Sequence, residues 1–456
     1  CDYPRTTGRP KGPDMLAAIR QASTPLRRLL LDAAEVPADL GSVTSIAASE
    51  EHDPEPVGMT REGVAAIWRA AERVYATGMH PGLSLVVRRH GRVVLKRAIG
   101  HARGNGPDDR GETPVPMSPE TPVCVFSASK AMAAMPLHLL SERKALSLLD
   151  PVSHYLPEFG RNGKRDITIY QLLCHKAGIP TIPTSNVDVA ELLLDRKEVL
   201  RLICATEPDK PGRHHAYHAL TTGFVVAALV ENISGQGFRA FFRDHISEPL
   251  GMKSFDFGAR GRTLGRVARN YVTGFKASRP ADRYLQRAIG TNLEHAVRLS
   301  NDPRFYRAVI PAGNGVATAD DCSKFFQCLL DGGEFGGARV FAPLTVRRAV
   351  AEVGKPEIDR SLLVPLRYSA GMMLGASPWG LYGPDTSQAF GHLGFANIFV
   401  WADPERATSV ALLTTGKLVL GVHAPWLLAL LAKLSRHCPK LSVAEQDERL
   451  VAIGMA

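Results

Sequence analysis

The segment Ser-Ala-Ser-Lys at residues 127–130 places a hydroxyl and an amine three positions apart. An apolar run at 123–126 precedes it and an Ala/Met-rich run at 131–135 follows it, which predicts an extended entry into the first turn of a helix. Residues three apart share one face of a helix, so we expect the Ser127 hydroxyl and the Lys130 amine to meet. A serine needs a nearby base to become a nucleophile, and burial can lower the pKa of a lysine enough for it to be that base.

The same Ser-x-x-Lys pattern occurs again at Ser141 and Lys144. This second copy lies near the end of a predicted helix among charged residues, which is typical of a solvated helix face. The first copy differs, because apolar residues lead into it and small residues follow it, and both indicate burial. A buried lysine is costly without a purpose, so Ser127 and Lys130 are the stronger candidates for chemistry.

A polar and aromatic stretch at residues 214–218 ends just before a predicted helix that begins at Thr221. Tyr217 in this stretch could be aimed into a cleft, where a tyrosine beside a lysine can relay a proton. The alternative is a core tyrosine whose hydroxyl is satisfied locally. The three histidines of the stretch could suggest a metal, but no further ligand spacing accompanies them, so we expect no metal.

The segment Phe390-Gly391-His392-Leu393-Gly394-Phe395 leads into a predicted strand. Its glycines permit a ligand to approach the backbone closely. A strand edge that faces a nucleophile can offer a backbone N–H to a developing oxyanion. The alternative is a strand bend that glycine makes easy, with a histidine at the surface.

Length, charge and missing motifs narrow the class of protein. The 456 residues suffice for two or three domains, or for one large domain with an insertion. The net charge of +10 is typical of solvated Lys and Arg, although a basic surface can also attract anionic lipids or acidic substrates. We see no nucleic-acid-binding signature, no Gly-x-Ser-x-Gly, His-Glu-x-x-His, Walker or Gly-x-Gly-x-x-Gly motif, and no apolar run of about 20 residues.

These features predict no nucleic-acid partner, no cofactor and no transmembrane segment, with peripheral membrane contact left open and the oligomeric state unknown. Seven cysteines are scattered without Cys-x-x-Cys spacing, and most lie in apolar company, as small hydrophobic residues do. This pattern favours the cytoplasm over the cell envelope, because disulfides persist in oxidising compartments.

Strand patterns at both ends of the chain enclose a helical block, which predicts an α+β fold with one antiparallel sheet, terminal helices that cover it, and an inserted helical subdomain. We expect an N-terminal extension at 1–56, a sheet domain formed by 57–135 and 305–456, and a helical subdomain at 136–304. The basic, irregular segment 259–310 would be a flap over a cleft. The strands are predicted at 83–87, 93–102, 369–374, 396–401 and 409–414. The helices are predicted at 61–77, 131–148, 189–204, 221–232, 238–246, 319–331 and 422–434, with Thr168 as the cap of a further helix.

Ser127-x-x-Lys130, then Tyr217, then His392-Leu393-Gly394 before the last strands together resemble the serine β-lactamase-like superfamily, in particular the branch of class C β-lactamases, D-aminopeptidases and family VIII carboxylesterases. Supporting segments match at 148–157, 167–178, 249–252 and 312–321. The resemblance covers residues 60–434, and it implies an α/β sandwich with a five-stranded antiparallel sheet flanked by helices, beside a helical subdomain.

The resemblance also implies a role for each residue. Ser127 would be the acylated nucleophile, Lys130 its proton acceptor, and Tyr217 the group that shuttles protons with Lys130. The backbone N–H groups of Ser127 and Phe395 would form the oxyanion hole, while His392 occupies the position at which β-lactamases usually have Lys.

Two departures from the β-lactamase pattern bear on the substrate. Ala219 replaces the usual Asn, and His392-Leu393-Gly394 replaces Lys-Thr-Gly. A site that loses polar partners discriminates less in favour of a polar ligand. Esterase-like members commonly have His or Trp in the third motif. The sequence therefore predicts a serine carboxylesterase or lipase that hydrolyses small uncharged esters through an acyl-enzyme.

Three alternatives remain open at this stage. The same residues could deliver the acyl group to an alcohol or amine, as in an acyltransferase. A β-lactamase or D-peptidase is a second alternative, against which Ala219 and Leu393 argue. A non-catalytic binding protein is the third, and it is the least favoured because Ser127, Lys130 and Tyr217 are all present.

Overall fold

The computed structural model describes residues 31–109, 111–182, 189–275, 279–395, 397–418 and 421–455. Most of the predicted N-terminal extension, residues 1–30, lies outside these ranges. The predicted domain limits stay a prediction.

The described chain alternates short strands with helices. Its α-helices are α1 (Arg61–Tyr75), α2 (Ser129–Glu142), α3 (Val152–Tyr155), α4 (Ile169–Leu173), α5 (Val189–Leu192), α6 (Arg196–Ala205), α7 (Thr221–Ser234), α8 (Phe238–Phe242), α9 (Gly261–Leu264), α10 (Arg279–Ile289), α11 (Leu293–Ser300), α12 (Pro303–Arg307), α13 (Ala319–Leu330), α14 (Pro343–Val350), α15 (Ala424–His437) and α16 (Val443–Ala452). Its strands are β1 (Leu31–Asp32), β2 (Thr44–Ile46), β3 (Gly82–Arg89), β4 (Arg92–Arg103), β5 (Val115–Pro116), β6 (Val123–Phe126), β7 (Asp256–Phe257), β8 (Tyr271–Val272), β9 (Gly274–Phe275), β10 (Gly315–Ala317), β11 (Glu334–Phe335), β12 (Ala338–Arg339), β13 (Glu357–Ile358), β14 (Pro365–Tyr368), β15 (Met373–Leu374), β16 (Trp379–Gly380), β17 (Gly383–Pro384), β18 (Phe390–Gly394), β19 (Ile398–Asp403), β20 (Thr408–Thr414) and β21 (Gly416–Lys417).

The central sheet has the order β13-β14-β15-β18-β19-β20-β3-β4-β2, with β5 also paired to β4. Every pairing in it is antiparallel, so the predicted α+β class with an antiparallel sheet is confirmed. The sheet has ten strands instead of the expected five. Five of them are long, namely β3, β4, β18, β19 and β20, and the others are edge strands of two to four residues that extend the sheet on both sides.

Apolar side chains cover both faces of this sheet. One face packs against α1 and α15 through residues such as Ile67 and Leu430, which are fully buried. The opposite face packs against α2 and α13 through residues such as Met132 and Phe325. Burial of such side chains contributes about 1.5–3 kcal/mol each, which makes the sheet a firm platform for the site.

A smaller antiparallel sheet carries the candidate nucleophile. Strand β6 pairs with β10, and β10 pairs with β7 on its other edge. The chain turns from β6 directly into α2, so Ser127 lies at the junction between the strand and the helix. The predicted helix at 131–148 ends earlier, at Glu142, because Lys144 adopts a left-handed conformation with a φ of 60°.

The structure bears on several further local predictions. Thr168 caps α4 through a reciprocal capping box with Gln171, as predicted. The predicted strand at 369–374 is too long, because only Met373–Leu374 pair and a tight turn around Gly371 precedes them. The six cysteines within the described residues are free and buried. No helix in the described ranges has the length and apolar character needed to cross a membrane.

Candidate active site

The side chains of Ser127 and Lys130 meet at the start of α2, as their spacing predicts. The Lys130 Nζ lies 3.0 Å from the Ser127 Oγ and donates a hydrogen bond of 2.9 Å to the backbone oxygen of Ala312. Ser127 is partly exposed, whereas Lys130 is only 6% exposed. The hydroxyl is therefore reachable from outside while the amine beside it is held in the interior.

A strained turn presents Ser127 to its surroundings. Phe126, the residue before it, has a φ of 47°, which is a left-handed conformation that costs a residue other than glycine about 1–3 kcal/mol. The turn is held by a hydrogen bond from the Ala128 N–H to the Val125 oxygen at 3.1 Å. The hydroxyl of Ser129 donates to the Phe126 oxygen and accepts the Gly315 N–H at 2.9 Å, which anchors the turn to β10.

Burial holds the pKa of the Lys130 amine well below its ordinary value, because the charged form loses its hydration. Among the described residues, no acidic side chain forms an ion pair with this amine that would restore the charge. The amine therefore has a neutral form available well below the pH at which an exposed lysine loses its proton, and its lone pair can then accept a proton from Ser127.

Tyr217 completes the group although ninety positions separate it from Ser127. It is 4% exposed, and the Lys130 Nζ lies 4.8 Å from the centre of its ring. Burial raises the pKa of its phenol well above the ordinary value, and the nearby Ser127 side chain opposes this shift only in part. The phenol is therefore protonated near neutral pH and can donate a proton.

Tyr217 is held in place by a buried carboxylate, that of Asp359, which sequence patterns did not indicate. The Asp359 Oδ1 accepts the backbone N–H groups of Tyr217, Ser361 and Leu362 at 3.1, 2.9 and 2.8 Å. Its Oδ2 accepts the hydroxyl of Tyr368 at 3.0 Å. Asp359 lies in a polar, charged stretch of the sequence that is typical of a surface loop, so no local pattern distinguished it.

Three buried histidines lie in or beside the segment that carries Tyr217. His175 packs against the Tyr217 ring at 4.8 Å between centroids and accepts the backbone N–H of His218. His218 in turn accepts the Ile179 N–H at 3.1 Å, and His215 contacts the Cys174 oxygen at 2.7 Å. Each of these rings bonds to the backbone through at least one nitrogen atom, so the rings support the segment that carries the tyrosine. In the described part of the chain, no three His, Cys, Asp or Glu side chains are grouped as metal ligands.

The third motif, His392-Leu393-Gly394, carries no charge. His392 in β18 is 1% exposed, its Nδ1 lies 2.7 Å from the Leu393 oxygen, and its ring centre is 6.1 Å from that of Tyr217. Burial, with a smaller contribution from Lys130 when its amine is charged, lowers the pKa of His392 to about 3, so the imidazole is neutral at physiological pH. Leu393 packs against the apolar cluster that contains Tyr217 and Ala219.

The end of β18 lies close to the strand that leads to Ser127. A Cβ on Gly394 would come within 2.5 Å of the Val125 oxygen, so only glycine fits there without a shift. The rings of Phe126 and Phe395 are 5.4 Å apart between centroids, and Phe395 and Ser127 line the same cleft. The two residues whose backbone N–H groups are expected to form the oxyanion hole thus line one cleft, and the role of these groups stays a prediction.

This cleft contains about 640 Å³ of empty space. Its lining is mostly apolar, and none of the lining residues in the described chain is Asp, Glu, Lys or Arg. Five lining residues come from the 259–310 segment that was expected to act as a flap. The lining residues are Phe126, Ser127, Leu193, Ala219, Leu220, Thr291, His295, Ala296, Leu299, Phe305, Ala312, Gly313 and Phe395.

Comparisons with known proteins show the family and the fold. The family described as Beta-lactamase matches residues 69–433. Esterase/beta-lactamase LipL of Mycobacterium tuberculosis is 29% identical over 309 residues, which cover 65% of this chain and 70% of LipL. A family VIII carboxylesterase of known structure has a TM-score of 0.71 at 24% identity and covers 84% of this chain and 99% of its own. A penicillin-binding protein homolog from Caulobacter crescentus has a TM-score of 0.70 at 24% identity, with coverages of 83% and 98%. The two solved structures share the fold.

Proposed function

The chain belongs to the beta-lactamase family, as a serine hydrolase of the β-lactamase-like type, and on that basis we propose that it cleaves carboxylic esters through an acyl-enzyme. The observation that carries this proposal is the Lys130 Nζ at 3.0 Å from the Ser127 Oγ, buried and without an acidic partner in the described residues. Such an amine can act as a base near neutral pH, which a lysine in water cannot do.

The acylation step follows from these positions. The neutral amine of Lys130 accepts the proton of Ser127 as its oxygen attacks the ester carbonyl. The backbone N–H groups of Ser127 and Phe395 stabilise the oxyanion that forms. When the C–O bond breaks, the Tyr217 phenol gives its proton to the leaving alcohol and recovers one from the Lys130 ammonium, which leaves Ser127 acylated and both partners as they began.

Deacylation uses the same groups in reverse. Water takes the place of the alcohol and loses a proton to Lys130 by way of Tyr217 as it attacks the acyl carbon. The tetrahedral intermediate then collapses, the proton returns to the Ser127 oxygen, and the carboxylic acid leaves.

The neutral third motif favours an ester over a β-lactam. A β-lactam carries a carboxylate that β-lactamases hold with a Lys, whereas His392 here is neutral, chiefly because burial lowers its pKa to about 3. Ala219 offers no amide in place of the usual Asn. A desolvated carboxylate without a partner is costly, whereas an uncharged ester does not incur that cost.

The proposal is tested by hydrolysis of p-nitrophenyl butyrate. Ser127→Ala should lower kcat/KM by at least about a thousandfold, because it removes the nucleophile. Ser141→Ala is the matched control, since Ser141 heads the second Ser-x-x-Lys pattern outside the site. Equal hydrolysis by wild type and Ser127→Ala, or failure of a fluorophosphonate probe to label Ser127, would remove this residue from the mechanism.

β-Lactam hydrolysis is the second candidate, because the name of LipL includes both activities. The neutral site predicts that kcat/KM for nitrocefin lies at least about a hundredfold below that for p-nitrophenyl butyrate. Comparable values for the two substrates would favour the β-lactamase over the esterase.

A further inference from the structure

We infer that the apolar cleft is the pocket for the acyl chain, that it selects uncharged chains of several carbons, and that Ala296 and Leu299 limit the chain length. This inference rests on the proposed ester hydrolysis and adds the class of substrate. It concerns the part of the chain for which sequence patterns indicated only an irregular basic segment, residues 259–310.

The position of the cleft relative to the proton donors indicates whether it binds the acyl chain or the leaving alcohol of the ester. Ser127 and Phe395 line the cleft, but Lys130, Tyr217 and His392 do not. The leaving alcohol must receive its proton from the phenol, so it has to lie on the tyrosine side of the nucleophile. The acyl chain then extends to the other side, into the cleft.

The residues that line the cleft indicate whether the acyl chain is apolar or charged. Leu193, Phe305 and Ala312 are 3%, 5% and 0% exposed, whereas Thr291 and His295 are polar and partly exposed. A hydrocarbon chain that enters replaces water on apolar surface, which is favourable. A chain that ends in a carboxylate or an ammonium would lose its hydration without meeting an opposite charge on any described lining residue.

Helix α11 forms one wall of the cleft. Ala296 and Leu299 are three positions apart and therefore lie on the same face of the helix, and both line the cleft. The small side chain of Ala296 leaves room that a larger side chain would take. Glu294 on the same helix is exposed and is not among the lining residues, so it offers a control position.

The expected selectivity follows from burial of methylene groups. Each methylene that enters the cleft should raise kcat/KM by up to about fourfold, until the chain reaches the far wall. We therefore expect wild type to prefer p-nitrophenyl hexanoate over the acetate by about a hundredfold. The p-nitrophenyl monoester of adipic acid, a chain of the same length with a terminal carboxylate, should react at least about a hundredfold more slowly than the hexanoate.

The test combines this series with two variants that fill the cleft, Ala296→Phe and Leu299→Trp. Each should lower the ratio of kcat/KM for hexanoate over acetate by at least about tenfold. Glu294→Phe adds the same ring to the exposed face of α11, and it should keep the wild-type ratio. Acetate esters of alcohols of increasing length form a second series, whose dependence on chain length should be the same in wild type and in Ala296→Phe.

The outcomes separate this inference from the proposed function. Unchanged ratios in both cleft variants, or equal rates for the adipate and hexanoate esters, would overturn the acyl pocket while ester hydrolysis stands. A change confined to the alcohol series would also overturn it, because the cleft would then hold the alcohol. Absence of ester hydrolysis together with absence of Ser127 labelling would instead refute the proposed function.

Discussion

The Asp359 Oδ1 accepts the backbone N–H of Tyr217 at 3.1 Å, which joins two segments that lie 142 positions apart. The backbone N–H of Arg360 also donates to the His215 oxygen at 3.0 Å, beside this contact. The segment that begins at β13 is thereby bonded to the segment that carries the phenol. The position of Tyr217 relative to Ser127 therefore depends on a buried carboxylate outside the three candidate catalytic residues.

Asp359→Ala should reduce both stability and activity. It would remove the acceptor of three backbone N–H groups and of the Tyr368 hydroxyl, and each buried donor without a partner costs about 1–3 kcal/mol. We expect the free energy of unfolding in urea to fall by about 3 kcal/mol or more, and kcat/KM for p-nitrophenyl butyrate to fall by at least about tenfold. Glu352→Ala is the control, because Glu352 forms an ion pair with Arg367 near the surface that is worth at most about 1 kcal/mol. Wild-type activity in folded Asp359→Ala would contradict a positioning role.

The pH dependence of kcat/KM should show one acidic limb. The reaction needs the neutral Lys130 amine, whose pKa burial holds well below the ordinary 10.5, so activity should rise as the pH increases through that lowered value. Burial raises the pKa of the Tyr217 phenol above the ordinary 10.0, so no loss of activity is expected between the acidic limb and pH 10. A limb near the pKa of a lysine in water would contradict the proposed base.

The lowered pKa of Lys130 also predicts how the stability of the protein depends on pH. Between the lowered pKa and the ordinary value, the unfolded chain binds the lysine proton and the folded chain does not, so stability rises with pH. The free energy of unfolding of wild type relative to Lys130→Met should therefore increase by up to about 1.4 kcal/mol per pH unit in this range. A difference that stays constant with pH would show that the pKa of Lys130 is the same in both states.

Gly394→Ala should impair the reaction through the backbone. The added Cβ would lie 2.5 Å from the Val125 oxygen and 2.7 Å from the Ile398 Cβ, so the end of β18 has to move and the Phe395 N–H with it. We expect kcat for p-nitrophenyl butyrate to fall by about tenfold to a hundredfold. Gly237→Ala is the matched control, because a Cβ at that position meets no atom within 4 Å. Equal kcat in the two variants would argue against Phe395 as an oxyanion donor.

Tyr217→Phe should slow the proton transfer and leave the fold intact. The ring and its contact with His175 stay, while the phenol hydroxyl beside Ser127 is lost. We expect kcat to fall by about a hundredfold to ten-thousandfold, the usual contribution of a positioned acid or base. Tyr382→Phe removes another buried hydroxyl, one that donates to the Met373 oxygen at 3.0 Å, and serves as the control. A kcat in Tyr217→Phe equal to that of the control would exclude the phenol as the proton donor.

Features formed by residues that are close together in the sequence could be predicted from it, whereas contacts between distant segments could not. Ser127 and Lys130 are three residues apart, and helix geometry alone brings such side chains together. The hairpin of β3 and β4 and the cap at Thr168 are equally local, because two apolar, β-branched-rich runs around a short turn and a capping side chain act over a few positions. A local polar and aromatic stretch indicates Tyr217 only as a candidate, and its role follows from the resemblance of spaced motifs.

The sequence by itself determined the antiparallel α+β class and the pair of Ser127 and Lys130, since both follow from short-range periodicity and residue chemistry. Only the tertiary structure decided that Asp359 supports Tyr217 and that Leu193, Ala296 and Phe305 face the nucleophile across one cleft. Such contacts join segments that are at least 66 positions apart, and they form wherever burial of apolar surface and satisfaction of buried polar groups are best for the whole chain. No local sequence pattern predicts these contacts, because they depend on how the whole chain packs.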